Sequence, residues 1–247
     1  MRKLAIATLV TAVFAAGILA QKPVKPWVEW NQKEAQKILD DSAWGRTQTE
    51  TDTSQMFFSP TSDPGRQNRT TSNDDARLKQ GATNQAVQVN FHVRFFTAKP
   101  IRQALVRLME LNQTNLPKET IERLNQFANL QSNQWIIVAV AFDASDQRYS
   151  GPVLQALGSA TTDVAKNNTY LERKDGKKLF LNEYVPPGKD GFGARFIFPR
   201  VVEDQPFLAA DSGEVRFYSE FRVGSTGIKL DRRFKIADMV YNGNLEY

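Results

Sequence analysis

The chain has no cysteine, and its 247 residues include one histidine, His92. Without cysteine there is no disulfide, no thiol nucleophile and no lipid anchor attached to a cysteine during export. A typical zinc site needs several His or Cys ligands, and one imidazole cannot supply them. A Ser-His-Asp hydrolase would have to use His92, and no G-x-S-x-G elbow is present to offer the serine. Gly224-Ser225-Thr226-Gly227 departs from that pattern and reads as a turn between strands. No catalytic residue, metal or cofactor is therefore expected.

Charge of one sign is also scarce. There are 32 basic and 27 acidic residues, and Arg2 and Lys3 belong to the extreme N-terminus. The densest basic run, Arg173 to Lys178, is interrupted by Asp175. Nucleic-acid binding calls for Lys and Arg clustered on a face or stripe, so none is expected.

Long apolar runs are limited to one. Leu4 to Ala20 follows Arg2 and Lys3 and gives way at once to Gln21, Lys22 and Pro23. A basic start, a short apolar core and a small terminal residue are the parts of a secretory signal peptide. Residues 1–20 are read as that signal, cut after Ala20, with a cut after Gly17 as the runner-up. The mature chain is then expected to be soluble and extracytoplasmic, either periplasmic or secreted. No transmembrane segment remains after cleavage, since a spanning helix needs about 20 apolar residues. The roughly 227 residues left suffice for a core without disulfides.

Residues 21–58 predict a helix and a strand. Asn31 and Glu34 have the spacing of a capping box, and Trp30 precedes them as half of a hydrophobic staple with Ala35. Thr51 to Phe58 reads as a short strand. Residues 59–84 hold only Ala76, Leu78 and Ala82 as apolar side chains and read as a flexible loop. Residues 85–247 are expected to complete the same domain.

Val87 to Phe95 alternates strictly, which predicts a strand with Val87, Val89, Phe91, Val93 and Phe95 on the buried side. His92 and Arg94 then lie on a wet face. Pro100 and Pro117 open two amphipathic helices. Trp135 to Phe142 suits a strand covered on both sides. Asp143, Ser145 and Asp146 lack calcium-loop spacing and read as a turn. From Asn168 the chain reads as hairpins, with Asp175-Gly176 as a type I′ turn signal and Asn242-Gly243 as another hairpin signal. The sum is an α+β fold: a largely antiparallel sheet, a helical pair between strands and a hairpin-rich C-terminal half.

The loop Pro186 to Gly193 gathers Lys189 and Asp190, with Arg195 just beyond. It lacks the Walker pattern and leads into a strand, so it does not cradle phosphate. Its polar density makes Lys189, Asp190 and Arg195 the candidate ligand-binding residues.

The stretches KPWVEWNQKEAQKILDDSAWGRTQ, FFTAKPIRQAL and DGFGARFIFPR, with the ending RFKIADMVYNGNLEY, resemble a group of exported bacterial proteins of unknown function. The resemblance spans nearly the whole mature chain. It implies a bacterial envelope or secreted setting, and no activity, cofactor or catalytic residue. Together these readings favour a non-catalytic protein that binds a protein or small molecule through its sheet face or loops, or an envelope component. The alternative is a secreted hydrolase using paired carboxylates, which folding alone could bring together.

Overall fold

The computed structural model describes residues 25–51 and 88–247, apart from 114, 133, 146, 224 and 225. The expected signal segment and the loop 59–84 lie outside them, as does the expected strand Thr51 to Phe58 except for Thr51.

Helix α1 (Gln32–Asp40) begins as its sequence requires. The Asn31 side chain accepts from Glu34 N at 2.9 Å, and Asn31 N donates back to Glu34 Oε2 at 2.8 Å. Two orphan donors of the first turn are thereby satisfied. Trp30, Ala35 and Leu39 are buried in the core.

Strand β1 (Gly45–Thr51) follows and pairs antiparallel with β2 (Gln88–Phe95). Its sequence, GRTQTET, has no apolar alternation to announce it. Gly45 is obligatory here. A Cβ at that position would stand 2.2 Å from the carbonyl oxygen of Leu39, where the strand leaves the end of α1.

Helices α2 (Lys99–Asn112) and α3 (Lys118–Asn129) form the expected pair, with Pro100 in the first turn of one and Pro117 capping the other. Strand β3 (Trp135–Ala144) then returns beside β2. Two helices absent from the sequence reading come next, α4 (Gln147–Ser159) and the short α5 (Thr162–Lys166). Gly151 and Pro152 disguise α4, yet Val153 and Leu157 sit at i, i+4 and are both buried.

Strands β4 (Thr169–Arg173), β5 (Lys178–Phe180), β6 (Glu183–Val185), β7 (Ala194–Pro199), β10 (Glu214–Val223) and β11 (Thr226–Lys235) complete two antiparallel sheets. Their orders are β1-β2-β3-β7-β6 and β11-β10-β4-β5. Two-residue ladders, β8 (Val201–Val202) with β9 (Gln205–Pro206) and β12 (Val240–Tyr241) with β13 (Asn244–Leu245), finish the set. The fold is α+β, with five α-helices among the described residues, a helical pair between strands and hairpins through the C-terminal half.

The two sheets meet through their apolar faces. Phe95 contacts Phe234 edge-on at 4.9 Å between ring centroids, Phe196 contacts Phe217 at 5.3 Å, and Phe91 contacts Phe221 at 5.9 Å. Val89, Phe91, Val93 and Phe95 are all fully buried, as their alternation predicts. At one edge Gln48 ties the sheets together. Its amide accepts from Asp231 N at 3.0 Å and donates to Lys229 O at 2.7 Å, imitating a peptide group of a paired strand. The chain itself crosses between the sheets after β5, where Leu181 N donates to Thr169 O and Asn182 N donates to Ile197 O.

One of the two turn signals has a different geometry from the one expected. At Asn242-Gly243 both residues have positive φ, 49° and 79°, as a type I′ turn demands. At Asp175-Gly176 only Gly176 does, at 84°. Gly176 N donates to Arg173 O and Arg173 N to Lys177 O, so the loop is three residues long and ends in a glycine bulge.

Candidate functional site

The far side of β2 is not the wet face that its alternation suggests. Helix α1 covers it, and Arg94 is buried there at 8% exposure. Three backbone carbonyls at the end of α1 would be left without intrahelical partners. Side chains satisfy each one. Ser42 Oγ donates to Ile38 O at 2.6 Å, Arg94 Nε donates to Leu39 O at 3.0 Å, and Thr47 Oγ1 donates to Asp40 O at 3.1 Å.

His92 completes this junction. Its Nε2 lies 2.6 Å from Asp143 Oδ2, and its Nδ1 lies 3.0 Å from both Asp40 Oδ1 and Thr47 Oγ1. Arg94 Nη2 donates to the same Asp40 oxygen at 2.8 Å, and Gln36 Nε2 donates to Asp40 Oδ2 at 2.7 Å. Burial pushes the Asp40 carboxyl toward protonation, but hydrogen bonds from His92, Gln36 and Arg94 outweigh it and hold the pKa well below the usual carboxylate range. Burial also pulls the His92 pKa down, and the hydrogen bonds to Asp40 and Asp143 overcome it, leaving the pKa raised.

The arrangement resembles a triad in its residue types, Thr47, His92 and Asp143, but its hydrogen bonds run the wrong way for one. The Thr47 hydroxyl gives its proton to Asp40 O and accepts at its oxygen. Carboxylates at both ring nitrogens favour the imidazolium, whose two nitrogens both donate and which has no lone pair to act as a base. A cation at a helix C-terminus also complements the helix dipole. These side chains fasten α1 to β2 and β3. Asp143, read from sequence as part of a turn, is a strand residue, and its contact with His92 follows from a pairing that places Ala141 opposite His92. Among the described residues no group of three or more His, Asp or Glu could hold a metal ion.

The loop that carries the sequence-predicted ligand residues is tied to itself. Asp190 Oδ2 pairs with Arg195 Nη1 at 3.0 Å, and Asp190 Oδ1 accepts from Phe192 N at 3.0 Å. Lys189 is exposed and takes no part in that ion pair. Gly193, at φ +85°, packs so tightly on β3 that a Cβ would meet Val140 O at 2.2 Å. Phe192 stacks on Phe127 at 5.7 Å and contacts Phe96 at 5.1 Å. Asp190 and Arg195 are thus brought together in an ion pair, and Lys189 does not join them.

A different feature offers room for a ligand. Between α4, α5 and the far end of β10 lies a cleft of about 410 Å³. The larger part of its lining is apolar, with Ala156, Leu157, Ala160, Val164, Phe196 and Phe221 among the lining residues. Val164 stands at its rim, 63% exposed. Asn168, Ser219, Glu220 and Arg222 add polar groups. The Tyr184 hydroxyl donates to Leu157 O at 2.6 Å and Ser219 Oγ bonds Thr169 Oγ1 at 2.9 Å, so these deep polar atoms are occupied within the wall. No local pattern announces this cleft, because two of its three walls are the unanticipated helices.

No protein-family model matches the chain, and neither a curated protein nor a solved structure is similar to it. Among the described residues no helix is long and apolar enough to cross a membrane.

Proposed function

We propose that this is a non-catalytic binding protein that works outside the cytoplasm and holds a small, largely apolar group in the cleft between α4, α5 and β10. The cleft carries the reading. Its volume falls within the roughly 300–1,000 Å³ of small-molecule pockets, and an apolar lining with a few polar groups is their usual composition. Export rests on Arg2, Lys3 and the apolar run Leu4 to Ala20.

The alternative is a hydrolase using paired carboxylates, and Asp40 and Asp143 flank the one imidazole. A general acid needs a raised pKa, and Asp40 is shifted the other way. Both carboxylates are also engaged by the same imidazole.

Titration with the neutral apolar dye N-phenyl-1-naphthylamine tests the binding reading. Saturable fluorescence enhancement is expected for the native protein, with loss of it in Ala160→Trp, which fills the cleft. An absence of saturable binding to the native protein, or undiminished binding to a folded Ala160→Trp variant, would sink it.

A further inference from the structure

Strand β10 is ten residues long, but its neighbour β4 covers only part of it. The last pair is Ser219 with Thr169, and one further backbone bond runs from Glu220 N to Asn168 O at 3.1 Å. Beyond that point the strand continues to Val223, paired among the described residues with β11 alone.

In an antiparallel strand, successive residues direct their N–H and C=O groups to alternate sides. Glu214 O accepts from Lys174 N and Glu220 N donates to Asn168 O, so even-numbered residues of β10 face the β4 side. Arg222 has the same parity. Its backbone N–H and C=O therefore point past the end of β4, to the side on which Asn168 and α5 lie. Arg222 itself lines the cleft. Among the described residues no loop or helix backbone group bonds to it. An unpaired donor and acceptor beside each other on a strand edge form a template for one residue of another strand. Residues flanking that one would turn their side chains to the face that carries Phe221 and Val223, where Leu157, Ala160 and Phe196 line the cleft.

We infer that the cleft recognises an extended peptide by strand addition. One residue pairs with the Arg222 backbone, and an adjacent apolar side chain fills the space between α4 and β10. This inference rests on the cleft being a binding site, and adds what kind of molecule occupies it. The observation favouring a peptide over a simple apolar molecule is the adjacent backbone donor and acceptor of Arg222, unpaired among the described residues, which an acyl chain would leave unsatisfied. Main-chain bonds would supply affinity and the cleft would supply selectivity for the side chain.

The experiment uses three probes on the same protein. The first is a fluorescein-labelled, terminally blocked Thr-Val-Thr-Val-Thr pentapeptide, read by polarisation. The second is its twin with a methylated central amide nitrogen, together with the two twins methylated at the valines. The third is N-phenyl-1-naphthylamine. The parent peptide is expected to bind and to displace the dye, and at least one methylated twin to bind about tenfold more weakly, since it lacks a required donor. Ala160→Trp, verified as folded by circular dichroism, is expected to lose both peptide and dye. If the dye binds and the peptide neither binds nor displaces it, the cleft stands as an apolar site and strand addition is overturned. Equal binding of the parent and all the methylated twins would overturn it too. If neither dye nor peptide binds, the binding reading itself falls.

Discussion

Two helix–sheet junctions in this molecule are built in opposite ways. Where the end of α1 meets β2 and β3, the space is filled by charged and polar side chains whose donors and acceptors are paired with one another. His92, Arg94, Asp40, Asp143 and Thr47 fill that junction with mutual hydrogen bonds and ion pairs. Where α4 and α5 meet the end of β10, the walls are more apolar than polar, and among the described residues a strand edge is left without a neighbour. The lone histidine draws attention to the first junction, yet saturation there argues for a fastening. The second holds no conspicuous residue, and its incompleteness is what suits it to a ligand.

The comparison can be broken by substitution. The largest effect should come from the apolar side of β2. Phe91→Ala empties a fully buried aromatic site between the sheets and should cost about 3–5 kcal/mol in chemical denaturation. Arg94→Met should cost less, about 2–3 kcal/mol, because it orphans Leu39 O and removes a charged hydrogen bond from Asp40. His92→Gln should cost about 1–2 kcal/mol, reduced because its partner Asp143 is more than half exposed. Had His92 lain on a wet face, its replacement would have fallen within about 0.5 kcal/mol. A value that small would return the junction to the surface reading.

The same cluster predicts a pH window. His92 has a raised pKa, so its contribution is fully present below its ordinary value of 6.5 and is lost as pH rises through the folded value. Asp40 has a lowered pKa, so its contribution is present above 3.8 and is lost as pH falls through the folded value. Arg94 opposes the protonation of His92, and Asp40 and Asp143 favour it. The melting temperature should therefore decline as pH is raised from about 6 to about 9, and His92→Gln should flatten that decline. The smallest effect belongs to the loop singled out in the sequence. Lys189→Ala should leave stability within about 0.5 kcal/mol and dye binding unchanged.

Much of the fold was legible where one physical rule acts alone. The capping box of α1, the prolines opening α2 and α3, and the alternation of β2 are local signals, and each element forms where they place it. Legibility ended where tertiary context decides. GRTQTET becomes a strand because β2 pairs with it and Gln48 reaches β11. Helix α4 forms through Gly151 and Pro152 because Val153 and Leu157 reach the core. Arg94 and His92 occupy the polar side of an alternating strand, and period two cannot tell a solvated polar side from one covered by a helix with its own carbonyls to satisfy. The cleft was illegible for the same reason. It consists of where strand β4 stops and two helices begin, and no residue type marks that end.

The contrast between the junctions is tested most directly by amide chemical shifts, assigned in the native protein and followed during titration with N-phenyl-1-naphthylamine. A ligand seated between α4, α5 and β10 should move the amides of Leu157, Ala160, Val164 and Phe221 in a saturable way and leave those of Thr47, His92 and Asp143 in place. Shifts centred on His92 and Asp143, with Leu157 and Phe221 unmoved, would mean that the polar junction is the binding site and would contradict the account.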